Sequence, residues 1–132
     1  MSANLRKQLT CIASNARLAS RALLSVPTAL KNKILKDMAL ALIRKKGLII
    51  QANKKDLGNA LKQKSSAAFL DRLRLDDKRI KEMSRSLLAI AGLPDPLGEI
   101  IKDWRRPNGL RIQKVRVPIG VIAIIYESRP NV

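Results

Sequence analysis

Near the end of the sequence, Tyr126-Glu127-Ser128-Arg129-Pro130-Asn131 gathers side chains that can do chemistry into one short stretch. Arg129 offers a planar fork of N–H donors that matches a phosphate or a carboxylate. Asn131 can donate a side-chain N–H to an oxyanion as it develops. Pro130 restricts Arg129 to an extended backbone, which helps to hold both groups in place. Just before this turn, residues 121–125 are all apolar, the pattern of a strand buried on both faces of a parallel sheet. Open α/β sheets bind ligands outside the carboxyl ends of their strands, and the turn falls at that position. Taken by itself, the same pattern also suits a plain solvated turn, and both readings stay open at this level.

Other reactive groups are few. Cys11 is the only cysteine and histidine is absent, so an intramolecular disulfide is impossible and a conventional zinc site lacks its ligands. No metal site is expected. Cys11 is placed on the apolar stripe of the first helix, as a small buried hydrophobe rather than a reactive thiolate. No glycine motif of the kind that cradles phosphates occurs. A formal charge of +17, from 27 Lys plus Arg against 10 Asp plus Glu, attracts polyanions. The charges are dispersed, however, and aromatic residues that could stack on bases are limited to Phe69, Trp104 and Tyr126. A nucleic-acid partner is therefore not expected, although a basic helical module binding a polyanion is kept as an alternative. No apolar run approaches the length of a bilayer span, and no membrane partner is expected. The expected location is the cytoplasm. An organellar transit peptide is the alternative, because residues 1–36 lack Asp and Glu, are rich in Ser and Ala, and carry Arg6, Arg17 and Arg21 in an amphipathic pattern.

The elements that would position the turn follow from periodicity. Leu5, Leu9, Ile12, Ala16 and Ala19 predict a helix over residues 3–24, closed by Ser25-Val26-Pro27. Thr28 stands at the N-cap or in the first turn of a second helix carrying Leu30, Ile34, Met38, Ala41 and Leu42, with Lys45-Lys46-Gly47 as its stop signal. A third helix is predicted over residues 48–62, a short fourth from Ser65 or Ser66 to Leu73, and a fifth between an Asp76 N-cap and Gly92. After Pro94-Asp95-Pro96 the period shortens. Residues 98–104 and 110–117 read as two strands about Asn108-Gly109, a hairpin signal. The expected fold is α/β: an N-terminal helical layer (residues 1–97), then a hairpin and a first parallel-sheet strand (residues 98–132).

The run Arg116-Val-Pro-Ile-Gly-Val-Ile-Ala-Ile-Ile-Tyr-Glu-Ser-Arg-Pro-Asn-Val132 closely resembles the motif of the gamma-glutamyl phosphate reductases, a family within the aldehyde dehydrogenase superfamily. The resemblance extends upstream through Ala52-Asn53-Lys-Lys-Asp56, Leu70-Asp-Arg-Leu73, Asp95-Pro-Leu-Gly98 and Gly109-Leu110. It covers essentially this whole chain but only the opening part of the family's longer sequence. It implies a Rossmann-type domain, here incomplete, and NADPH-dependent reduction of L-glutamyl 5-phosphate to L-glutamate 5-semialdehyde in proline biosynthesis. In that reaction a cysteine thiolate attacks the acyl phosphate, a thioester forms, and hydride from the nicotinamide releases the aldehyde. Asn131 matches the asparagine that helps to hold the oxyanion across the superfamily. Tyr126, Glu127, Ser128, Arg129 and Pro130 match the signature turn, in the vicinity of substrate or cofactor. The family's nucleophilic cysteine lies far downstream of the motif, and Cys11 does not replace it. The resemblance also implies a homo-oligomer through the hairpin around Asn108. On these grounds the chain is expected to be a truncated, inactive N-terminal portion of such an enzyme, or else a split-enzyme subunit completed by a second polypeptide.

Overall fold

A computed structural model describes residues 3–131. They form five helices, α1 (Ala3–Leu23), α2 (Thr28–Arg44), α3 (Lys46–Lys62), α4 (Ala67–Leu73) and α5 (Asp77–Ala91), followed by strands β1 (Ile100–Arg105) and β2 (Arg111–Val115). Two compact units interleave along the chain, whereas the expected division ran 1–97 and 98–132. One comprises the stretch ending at Thr28 together with Pro94–Ala123, and the other Ala29–Leu93 together with the stretch beginning at Ile124.

Within the second unit, local chemistry sets the helix ends. The Ser66 hydroxyl accepts from the Phe69 N–H at 3.3 Å to cap α4, and the Asp76 carboxylate accepts from the Arg79 N–H at 2.8 Å to cap α5. Gly92 closes α5 by donating its N–H to the Leu88 and Ala89 carbonyls. The expected stop at Lys45-Lys46-Gly47 is corrected to a single-residue interruption, because the Lys45 N–H still reaches the Ala41 carbonyl at 2.9 Å and the Ile49 N–H reaches Lys45 at 3.1 Å. Gly47 keeps a negative φ inside the first turn of α3 and so terminates nothing. The residue that does turn left-handed is Lys64, with φ of 56°. Lys64 N–H bonds to the Leu61 carbonyl and Ser65 N–H to Ala60, which closes α3 with a Schellman motif built on a lysine where glycine is usual.

The core of this unit is small. Ile80 is fully buried, and Ala39, Ala60, Leu75 and Ala91 are the other buried apolar residues among those described. Two buried polar residues tie the helices. Asn53 donates to the Leu73 carbonyl at 2.8 Å and accepts from the Leu75 N–H at 2.7 Å, and the Ser84 hydroxyl donates to the Ala39 carbonyl at 3.1 Å. Lys46, which opens α3, is ion-paired with Asp77, and Lys81 approaches the same carboxylate at 2.6 Å. These two ammonium groups, Lys46 first, hold the Asp77 carboxyl at about 2, well below the usual carboxylate range. Arg79 clasps the end of α4, donating to the Arg74 carbonyl at 2.8 Å and to the Asp71 carboxylate at 2.9 Å.

In the first unit, β1 and β2 pair antiparallel, with Ile100 opposite Val115, Trp104 opposite Ile112 and a register shift between Ile100 and Lys102. Arg106-Pro107-Asn108-Gly109 makes the turn, with the Gly109 N–H on the Arg106 carbonyl at 2.9 Å and Gly109 at φ of 85°. Asn108 does not take a positive φ, so the hairpin is a three-residue loop ending on a left-handed glycine rather than a two-residue Asn-Gly turn. The Asp103 carboxyl, held at about 2 by hydrogen bonds from Arg111 and Gln113, pins the two strands together.

Two expectations are corrected here. Residues 116–126 have no regular secondary structure, so the strand expected over residues 121–125 is not formed, and the sheet among the described residues is the two-stranded antiparallel hairpin. A strand needs a neighbour for its N–H and C=O groups, and β1 and β2 pair only with each other, leaving Ile125 99% exposed. Cys11 is exposed, not buried, because α1 packs against no other helix or strand among the described residues. Leu9 and Ile12 of its apolar stripe likewise remain open to solvent.

Candidate functional site

The chemistry-bearing turn sits within the second unit. Ser128 adopts a left-handed backbone, φ 53°, which reverses the chain after Glu127. Beyond it Arg129, Pro130 and Asn131 line an open groove of ≈ 1190 Å³. The apolar wall of the groove is Met38, Ala41 and Leu42 of α2, Ile49 and Ala52 of α3, and Met83, Leu87 and Ile90 of α5. These are the stripes that helical spacing laid out on each element, and they converge here because Asn53, Ser84 and the Lys46–Asp77 pair fix the helices.

The polar lining is biased in sign. Lys45, Arg72, Arg74, Arg79 and Arg129 face the carboxylates of Asp71 and Glu82, so cations exceed anions around an apolar floor. One of those carboxylates, Asp71, is already paired with Arg79. Such a groove favours an anionic ligand with a short aliphatic body. Among the described residues, Arg129 and Asn131 have no side-chain hydrogen bond or ion pair, and both are exposed. Their donors are therefore available to a ligand without breaking an internal bond. Pro130 is half-buried and anchors the turn between them.

Of the six residues singled out in the sequence, Arg129, Pro130 and Asn131 come together at the groove. Tyr126 and Glu127 are exposed and do not line it. Ser128 is half-buried, and its hydroxyl is enclosed without a hydrogen-bond partner. Sequence reasoning did not assign Asn53 a role, although a signal was present. Asn53 lies four residues after Ile49 and four before Leu57, a polar side chain on an apolar stripe, which requires a buried partner.

A dinucleotide does not fit the residues present. Gly98, Gly109 and Gly120, the glycines with positive φ, all lie away from helix N-termini, so none shapes a phosphate cradle. Among the described residues, no three His, Cys, Asp or Glu side chains gather to hold a metal ion, and no helix is long and apolar enough to cross a membrane.

No family model matches the chain. Its relatives are nevertheless consistent. It is 50% identical over 126 residues to the gamma-glutamyl phosphate reductase of Geobacter metallireducens, covering 96% of this chain and 30% of that protein. Against the reductase of the same name from Thermoanaerobacter sp. strain X514, identity is 52% over 120 residues, 91% of this chain and 29% of the relative. The crystal structure of gamma-glutamyl phosphate reductase from Thermotoga maritima superposes with a TM-score of 0.86 at 45% identity, covering 90% of this chain and 29% of that one. The Saccharomyces cerevisiae enzyme gives 0.83 at 32% identity, with 99% and 32% covered. The chain resembles the N-terminal part of these enzymes and spans about 30% of the length of the curated relatives it matches.

Proposed function

We propose that this chain contributes the N-terminal helical layer and the anion-holding turn of a gamma-glutamyl phosphate reductase, which converts L-glutamyl 5-phosphate to L-glutamate 5-semialdehyde in proline biosynthesis. The observation that carries the reading is the placement of the unpartnered Arg129 and Asn131 side chains along a cation-rich groove. Arg129 pairs with an anionic group of the substrate through its planar fork. Asn131 donates its side-chain N–H to the acyl oxygen, where negative charge grows as a thiolate adds. Pro130, wedged between them, keeps both donors from collapsing onto the helices.

The thiolate and the NADP(H) site lie outside these residues in this reading. Cys11 is on α1, one turn from Lys7 and Asn15, and the glycines form no dinucleotide cradle, so no step is assigned to either. The cytoplasm and an NADP(H) requirement follow from the same reading.

The test is a graft. The matched segment of the Geobacter metallireducens enzyme is replaced by these residues, and glutamyl phosphate-dependent NADPH oxidation is followed. Turnover within an order of magnitude of the parent supports the reading, and a folded, soluble but inactive graft removes it.

A further inference from the structure

The hairpin carries a charge pattern that the proposed reaction does not use. From Glu99 to Arg116 it holds six cations, Lys102, Arg105, Arg106, Arg111, Lys114 and Arg116, against the carboxylates of Glu99 and Asp103. Both carboxylates are spent internally, Glu99 on Arg116 at 2.7 Å and Asp103 on Arg111 and Gln113. Alternation along the strands puts Asp103 on one face of the hairpin and Lys102 and Trp104 on the other. On that second face Lys102 stands directly opposite Lys114, a like-charge pair that is unfavourable across a ladder. Neither lysine has an ion-pair partner among the described residues. Lys102 is instead poised over the Trp104 ring, its ammonium 5.4 Å from the centroid. Trp104 is half-buried beside Ile112 and is the only tryptophan of the chain.

We propose that this face binds a single-stranded nucleic acid, with a phosphate bridging Lys102 and Lys114 and an unpaired base stacked on Trp104. A phosphate between the lysines relieves their repulsion, and stacking uses the one large ring set beside them. An acidic peptide would answer the charges and leave the ring idle. Only the strand register brings Lys114 beside Lys102 and Trp104.

The single tryptophan makes the test direct. The full chain is titrated with a twelve-nucleotide oligouridylate while Trp104 fluorescence is read at 50 and 200 mM salt. Saturable quenching is expected, with affinity falling about two- to threefold over that fourfold rise in salt for the one phosphate neutralised. The Lys102→Ala/Lys114→Ala double variant, with an unchanged circular dichroism spectrum, should bind at least tenfold more weakly. An Arg17→Ala/Arg21→Ala variant on α1 should bind within twofold of the parent. The proposal is overturned by absence of quenching at 50 mM salt, by equal affinity of the lysine double variant, or by polyglutamate binding as tightly as the oligonucleotide through the same two lysines.

Discussion

The side chain of Asn53 accepts the backbone N–H of Leu75 at 2.7 Å while its own N–H₂ holds the Leu73 carbonyl at 2.8 Å. One buried amide thereby satisfies both ends of the α4–α5 connection and ties it to α3. Removing it as Asn53→Ala strands a donor and an acceptor away from water. We expect a loss of about 2–4 kcal/mol in urea unfolding, since each unsatisfied buried group costs about 1–3 kcal/mol. Asn53→Asp should also destabilise, because its second oxygen would oppose the Leu73 carbonyl. A loss below about 0.5 kcal/mol for the alanine variant would mean that water replaces both bonds.

Lys64 closes α3 in a conformation that an L-residue adopts at a cost of about 1–2 kcal/mol. Lys64→Gly should remove that cost while losing part of it to the greater freedom of the unfolded chain, for a net gain of about 0.5–1 kcal/mol. The urea midpoint should rise. A fall would contradict the Schellman closure.

Acid should loosen both units in the same window. The folded carboxyls of Asp77 and Asp103 sit at about 2, below the ordinary value of 3.8. Depressed values mean that their stabilisation is complete above the ordinary carboxylate range and is lost as pH falls through about 2. Unfolding midpoints measured at pH 5, 3 and 2 should therefore drop more steeply for the parent than for Asp77→Asn or Asp103→Asn. Parallel curves would show that neither pair contributes.

Ser128 should respond in the opposite sense to most polar residues. Its hydroxyl is enclosed without a partner, so Ser128→Ala removes an uncompensated desolvation cost and should stabilise the second unit by about 1 kcal/mol. A destabilised variant would reveal a hydrogen bond to that hydroxyl.

Much of this molecule was legible before its coordinates. The caps at Ser66 and Asp76, the stop at Gly92 and the hairpin about Asn108 each follow from hydrogen bonds made within four residues along the chain. The second helix ends at Arg44, where the spacing places its stop, but Gly47 does not make that stop: it lies in the first turn of α3 with a negative φ. Residues 121–125 read as a buried strand from composition, yet a strand is a property of a pair, and no neighbour is present among the described residues. Burial of Cys11 presupposes a partner for α1, and even Leu9 and Ile12 of the stripe stay exposed because no other helix or strand packs on it among the described residues. At the candidate site, the sequence marked Arg129 and Asn131. The groove beneath them depends on three helices converging through Asn53 and Ser84, contacts between residues far apart in sequence.

The central claim rests on Asn131 as the donor to the acyl oxygen. In the active graft, Asn131→Ala should lower kcat for glutamyl phosphate reduction about 100- to 1000-fold, the usual consequence of losing one oxyanion donor, with KM changed far less. A graft whose kcat stays within twofold of the unsubstituted graft would contradict the account.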